Sequence, residues 1–297
     1  MGILKDTIRE FLKDDCPRMA AALSYYTMFS MPALLILVML IAGVFADPDA
    51  LQGRIMEQME ALIGRGAAEQ VVETLRLAEG PAAGNPLVVV LSVAALLFAA
   101  TGAFAQLQGA LNRAWEVEAN PDRHDVVNFL MKRGLSFLMI VGIALLLLAS
   151  MLGSTLLAAF GDFIAALLPR PFSRVALHAM SLGATFVVAT FLFGVLFRIL
   201  PDARVHWRDA WRGAVATAAL FILGNFLMGV YFARSSPGSA FGAAGSLALI
   251  LAWVYYSSNI FFIGAELTQV LARRRGEGIR PSRGAVRVVV ERRRIED

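Results

Sequence analysis

The chain has 297 residues, of which 58% are hydrophobic and only 17% are charged, and its mean hydropathy is +0.66. This composition is typical of an integral membrane protein and excludes an ordinary soluble enzyme. The net charge of +4 does not indicate nucleic-acid binding, because most of the basic residues flank apolar segments, where anionic lipid headgroups attract them. Cys16 is the single cysteine, which excludes an intrachain disulfide.

The first segment of the chain has the pattern of an amphipathic helix. Apolar residues recur at helical spacing over residues 4–12, while Lys5, Arg9 and Lys13 occupy the other face. The pattern predicts a helix that lies on the inner membrane surface. The apolar segment that follows is too long for the core of a cleaved signal peptide, so we expect it to remain in the mature protein.

Six apolar segments are long enough to cross a bilayer, which takes roughly 20 helical residues. They cover approximately residues 22–46, 86–106, 134–160, 175–200, 213–233 and 243–271. The predicted fold is therefore an all-α, polytopic membrane helix bundle with six transmembrane helices. It forms one membrane domain over residues 1–271, followed by a basic, solvated cytoplasmic tail over 272–297. Residues 47–85 carry two amphipathic patterns and predict an external helical hairpin.

Lys and Arg residues predict the orientation of these segments. They cluster within residues 5–18, 113–133, 198–212 and 273–294, which all fall on one side of the predicted bundle. The other side carries Arg54, Arg65, Arg76, Arg170, Arg174 and Arg234. Because positively charged flanks are retained in the cytoplasm, we expect a bacterial inner-membrane protein with both termini cytoplasmic.

The sixth apolar segment carries a polar stripe. Tyr255, Asn259, Phe262, Glu266 and Gln269 follow spacings of four, three, four and three, which places them on one face of a helix. An acidic residue within a membrane span is costly and usually faces protein, water or a cationic partner. Glu266 is therefore the strongest single-residue candidate for a functional site.

Other polar residues are expected at the same depth as this stripe. Ser24 and Tyr25 lie on the first span and Gln106 ends the second, so we predict that they bound a polar cavity open towards the cytoplasm together with Tyr255, Asn259 and Glu266. Arg198, at the end of the fourth span, is the expected counter-charge for Glu266. The alternative is that these side chains serve only as hydrogen-bonding contacts between helices. The sequence leaves both interpretations open.

Four stretches of the chain resemble the YihY/BrkB family of bacterial inner-membrane proteins, once named ribonuclease BN. They are AAALSYYTMFSMPALL (20–35), LNRAWEV (111–117), LFRILPDARVHWRDAWRGA (196–214) and FGAAGSLALILAWVYYSSNIFFIGAEL (241–267). The chain departs from the family at Phe241, where a tyrosine is more usual. The resemblance implies a six-span inner-membrane protein and, since some members are linked to envelope-lipid export and others to virulence, a transporter of an envelope lipid.

The remaining residues argue against catalysis. The three histidines, His124, His178 and His206, lie in separate segments without the spacing of metal ligands, so we expect no metal, no cofactor and no ribonuclease activity. One hypothesis is a transporter or flippase of an envelope lipid or another amphipathic solute. The other is a non-transporting membrane scaffold. In both, the expected partners are membrane lipids and not nucleic acid, and the oligomeric state is open.

Overall fold

The structure is a computed structural model, in which helices dominate. It describes residues 2–42, 97–98, 101–119, 134, 137–142, 170–235, 244–276, 278–282 and 284–288. The predicted external hairpin at 47–85, the start of the second predicted span, most of the third and the connection at 120–133 lie outside the described residues.

Helices form where the apolar patterns predicted them. Their bounds are α1 (Ile3–Lys13), α2 (Cys16–Ala42), α3 (Gly102–Ala114), α4 (Arg170–Ile199), α5 (Trp207–Ser235) and α6 (Ala244–Arg274). Within the described residues, three helical stretches are long and apolar enough to cross a membrane: Ala179–Ile199, Trp207–Val230 and Ile250–Arg274. A mostly helical membrane protein is thus confirmed, whereas the number of six spans stays a prediction.

Local signals set several of the helix ends. Asp15 follows α1 in the left-handed region, at φ 60°, and this turns the chain into α2. Asp209 lies in the first turn of α5, and Arg273 and Arg274 lie in the last turn of α6, where each charge complements the helix dipole. Gly276, at φ +86°, ends α6 because glycine adopts this conformation without steric cost.

Helix α6 is central to the bundle. It packs against α1, α2, α3 and α5, while α4 packs mainly on α5 and α3 packs on α2. Four aromatic rings, those of Phe193, Phe197, Phe261 and Phe262, form a contiguous group in the core; the centroids of Phe197 and Phe261 are 5.0 Å apart. The first and sixth predicted spans are therefore neighbours, as the cavity hypothesis requires.

A reciprocal pair of Gly–Thr contacts joins α5 to α6, and we call Gly213, Thr217, Gly264 and Thr268 the Gly–Thr seam. A Cβ atom at Gly213 would lie 1.8 Å from Oγ1 of Thr268, and one at Gly264 would lie 1.7 Å from Oγ1 of Thr217. Each threonine hydroxyl donates to its own helix, Thr217 to the Gly213 carbonyl (2.7 Å) and Thr268 to the Gly264 carbonyl (2.8 Å). The two helices approach this closely because glycine has no side chain.

Two short antiparallel ribbons lie at one end of the bundle and depart from the all-α prediction. Strand β1 (Val117–Ala119) pairs with β4 (Ala285–Arg287), and β2 (Ala203–Arg204) pairs with β3 (Arg280–Pro281). The segment that carries β3 and β4, predicted as a solvated tail, is tied to the bundle by strand pairing, while Val286 stays exposed. This segment folds back onto the bundle and buries Ile279.

The ribbons define what we call the ribbon end: α1, the first turns of α2, the second half of α3, residues 198–210 and residues 265–288. The clusters of basic residues predicted that certain segments lie in the cytoplasm. The described parts of these segments all meet at the ribbon end. Away from the ribbon end, α4 and α5 instead expose large apolar side chains, among them Val187, Leu223, Phe226 and Leu227. Such a surface is typical of helices in contact with lipid.

Candidate functional site

Glu266 is completely buried at the ribbon end, with 0% of its surface exposed. Its Oε1 accepts a hydrogen bond from the thiol of Cys16, at 3.5 Å, whereas Oε2 has no hydrogen-bond partner among the described residues. Cys16 is the first residue of α2, so this contact joins the first and last long helices. A thiol is a weak donor, and the carboxyl group is therefore poorly satisfied.

The neighbouring turn of α6 is held by α3. The indole Nε1 of Trp115 donates to the Ala265 carbonyl (3.2 Å), and Nε2 of Gln269 donates to the Ala114 carbonyl (3.1 Å). Oε1 of Gln269 is buried without a partner. Glu266 and Gln269 are three residues apart and lie on neighbouring positions of the helix surface, so two unpartnered acceptor oxygens occur within one turn.

Ion pairs surround the site on its outer side. Lys13 contacts Glu10 (3.2 Å) and Glu116 (3.4 Å), and Arg273 contacts the same two carboxylates at 3.2 and 3.8 Å. Arg287, on β4, donates to Glu116 at 3.3 Å. Although burial opposes the shift, these cations lower the pKa of Glu116. The network ties α1, α6 and the tail together.

Asp14, at the α1–α2 turn, contacts Lys13 of this network at 3.9 Å. Burial raises the pKa of Asp14 to about 6, although Lys13 acts in the opposite direction. Its Oδ2 is buried without a hydrogen-bond partner. Asp14 therefore marks a second carboxyl group that is poorly compensated in its charged form.

A separate polar contact centred on Asp202 holds the ribbon end. Asn112 donates to Oδ2 of Asp202 (2.8 Å) and accepts from its backbone N–H (2.8 Å), while Gln108 donates to Oδ1 at 3.4 Å. The Asp202 carbonyl accepts from the Ser282 backbone N–H at 2.9 Å. This residue joins α3, the α4–α5 turn and the tail, which is a positioning role.

The structure divides the predicted site residues into two groups. Ser24 is buried and its hydroxyl donates to the Ala21 carbonyl (2.8 Å); Asn259 donates to the Tyr255 carbonyl (2.7 Å). Both polar groups are satisfied within their own helices. Tyr25 and Tyr255 are 58% and 40% exposed, and Gln106 is half-buried. The stripe on α6 is thus sealed at Glu266 and Gln269 but exposed at Tyr255.

Arg198 does not pair with Glu266, and this part of the sequence interpretation is wrong. Its guanidinium lies over the ring of Trp207, 5.7 Å from the centroid. This cation–π contact supplies Arg198 with a partner close to it in the chain, across the α4–α5 turn. Within the described part of the chain, the side chain that contacts the Glu266 carboxyl is that of Cys16.

Sequence reasoning missed Cys16, Asp14 and Asp202 as members of these clusters. Asp202 had a detectable signal, because it follows Pro201 at the end of a span within one of the resemblance stretches. Cys16 and Asp14 had none, since their role depends on a helix 250 residues away. No group of three His, Cys, Asp or Glu side chains among the described residues could hold a metal ion.

The chain matches a family model and several named proteins. The family model described as virulence factor BrkB matches residues 7–288. A UPF0761 membrane protein of Alkalilimnicola ehrlichii is 28% identical over 292 residues, which are 94% of this chain and 62% of the relative. A second, of Halorhodospira halophila, is 26% identical over 89% of this chain and 56% of its own length.

A relative of matching length comes from Bacillus subtilis. It is named as a ribonuclease-like protein, YfkH, and is 24% identical over 93% of this chain and 97% of its own length. The chain spans only about 60% of the length of the two UPF0761 proteins. No solved structure matches.

Proposed function

Since the chain belongs to the BrkB family of membrane proteins, we propose that it is an inner-membrane transporter or flippase of an envelope lipid or another amphipathic solute. The observation that carries the proposal is Glu266: a fully buried carboxyl within a candidate span, with one oxygen unpartnered among the described residues. A side chain retained only to join helices would have both oxygens satisfied, because unsatisfied buried polar groups are destabilising.

The proposed path follows the stripe on α6. Tyr255 is exposed and Asn259 half-exposed, whereas Glu266 and Gln269 are sealed. In this proposal the structure represents a state closed at the ribbon end, and the substrate enters the polar cavity when that end opens. The residues proposed to bound the cavity remain Ser24, Tyr25, Gln106, Tyr255, Asn259 and Glu266.

The proposed orientation has the ribbon end and both termini in the cytoplasm. The exposed apolar row of α1, formed by Leu4, Ile8 and Leu12, then lies in the inner leaflet, with the basic residues of α1 beside anionic headgroups. Labelling of introduced cysteines in a Cys16→Ser background tests this orientation. An impermeant reagent that modifies the tail from outside intact cells contradicts it.

Lipid transfer can be measured directly. The purified protein is placed in vesicles that contain a fluorescent phospholipid, and the fraction accessible to an impermeant quencher is followed over time. We expect faster transfer with protein than without it, and a loss of this gain in Glu266→Gln. Glu118→Gln is the matched control, because it makes the same chemical change at an exposed position.

A scaffold without transport activity is the second candidate function. It is favoured by the complete burial of Glu266 and Phe262, since a stripe that never opens offers no substrate site. In that case wild-type protein transfers no lipid of any headgroup class tested, and Glu266→Gln loses function only in proportion to folded protein. We also propose that the chain has no ribonuclease activity, which purified protein incubated with RNA and divalent metal ions would test.

A further inference from the structure

We propose that Glu266 is a proton-binding site, protonated while the ribbon end is closed and deprotonated when it opens. A role for this proton as the coupling ion of transport rests on the proposed function. The presence of the proton on Glu266 does not depend on that function. The ligand is thus a proton from the aqueous phase, and the chemistry is the ionisation of one carboxyl group.

The first support is the environment of the carboxyl group. Glu266 is fully buried, and its contact among described residues is the Cys16 thiol, which donates to Oε1. No salt bridge reaches it from the part of the chain that the structure describes. A carboxylate without a cationic partner is far more costly to bury than the neutral acid, so such groups retain their proton.

The charged neighbours act in the same direction. Among the described residues, α1 and the α1–α2 turn, which precede Cys16 and pack against α6, carry the carboxyl groups of Glu10 and Asp14. Arg273, on α6 itself, is paired with Glu10 and Glu116 and not with Glu266. Cys16, on α2, is the titratable group that contacts Glu266 directly among the described residues. Carboxyl groups that repel one another cannot all ionise.

A proton on Oε2 also accounts for the unpartnered oxygens. As a carboxylate, Glu266 can only accept hydrogen bonds, and Oε2 then lacks a partner. As an acid it becomes a donor. Oε1 of Gln269, buried and unpartnered on the neighbouring position of the same helix, offers an acceptor oxygen within one turn.

The direction of the pH effect follows from linkage. The closed state binds one more proton than a state in which water reaches Glu266, so low pH favours the closed state and rising pH favours opening. Cys16 reports this opening, because its thiol is buried against Glu266. It is also the only cysteine in the sequence, so a thiol reagent modifies this position alone.

The experiment uses the full-length protein in lipid nanodiscs. The rate of Cys16 modification by a small neutral maleimide is measured from about pH 5 to about pH 8 in wild type and in Glu266→Gln. The wild-type rate is divided by the variant rate to cancel the ordinary reactivity of the thiol. We expect this ratio to rise at least about fivefold with pH. A ratio that is constant or falls overturns the proposal.

Infrared spectroscopy gives an independent readout that does not require opening. We expect wild type at neutral pH to show the carbonyl band of a protonated carboxyl group, lost in Glu266→Gln and retained in Asp14→Asn and Glu118→Gln. A wild-type spectrum without this band overturns the proposal even if Glu266→Gln fails to fold. If the protein transfers no lipid, the proposed function is contradicted. The expected Cys16 modification ratio and the expected carbonyl band do not change in that case.

Discussion

Helix α6 has two buried faces, which differ in whether their buried polar groups have hydrogen-bond partners. On the face towards α5, the hydroxyls of Thr217 and Thr268 are fully buried, and each donates to its own helix against a glycine of its neighbour. On the face towards α1, α2 and α3, one oxygen each of Glu266 and Gln269 is buried without a hydrogen-bond partner among the described residues. The comparison teaches that the first face satisfies its buried polar groups within each helix and packs closely, whereas the second buries polar atoms whose hydrogen bonds the neighbouring helices leave unmade.

The largest expected effect comes from filling the Gly–Thr seam. Gly213→Ala places a methyl group against Oγ1 of Thr268, and overpacking of this kind costs about 1–3 kcal/mol. We expect a clear fall in the thermal unfolding temperature in detergent. Combining it with Thr268→Ala should restore part of the loss, because the clashing hydroxyl is removed.

Gly229→Ala is the control for the seam. It lies on the same helix, but a Cβ atom there meets nothing within 4 Å, and alanine is the better helix former. Its unfolding temperature should equal or exceed that of wild type. If both variants behave alike, the seam is not a close contact and the comparison between the two faces fails.

The next effect tests what holds the ribbon end closed. Asn112→Ala removes two hydrogen bonds of 2.8 Å to Asp202, and a hydrogen bond of this kind contributes about 0.5–1.5 kcal/mol. We expect lower thermal stability and faster modification of Cys16. An unchanged Cys16 rate would show that the Asp202 contact does not control access to Glu266.

A smaller effect, dependent on pH, is expected at Asp14. Its pKa is raised from 3.8 to about 6, mainly by burial, so the folded state binds more protons than the unfolded state in this interval and loses stability as pH rises through it. Asp14→Asn removes this loss. The variant should gain stability relative to wild type between about pH 4 and pH 6, with a constant difference above that range.

Chemical denaturation at several pH values measures this gain. Asp15→Asn serves as the charge-matched control, because the Asp15 carboxylate is exposed and pairs with Arg18 at 3.0 Å. The quantity to compare is the change in the free energy of unfolding in Asp14→Asn minus that in Asp15→Asn, at each pH. A difference independent of pH would mean that Asp14 is not poorly compensated in its charged form.

The smallest effect is expected in the outer ion-pair network. Arg287→Ala removes a 3.3 Å contact to Glu116 from an exposed guanidinium, and such pairs contribute about 0.2–1 kcal/mol. We expect a slight loss of stability that disappears at high salt, because salt screens exposed charges. A loss comparable with that of Gly213→Ala would show that the tail, and not the seam, dominates stability.

The sequence by itself determined the membrane class, the amphipathic α1, the helices that form α2, α4, α5 and α6, and the placing of Glu266 away from lipid. These features follow from apolar length, helical spacing and the cost of a charge in a span, all of which are local properties. The stripe through Tyr255 and Gln269 was also readable, because a helix repeats with a fixed period.

Only the tertiary structure decided which groups meet. Cys16 contacts Glu266 across 250 residues, Arg198 lies on Trp207 instead, and residues 280–287 pair with strands that follow α3 and α4. The seam depends on glycines of two helices facing threonines of the other. No local pattern specifies such pairings, because each is set by how helices far apart in the chain approach and rotate against one another.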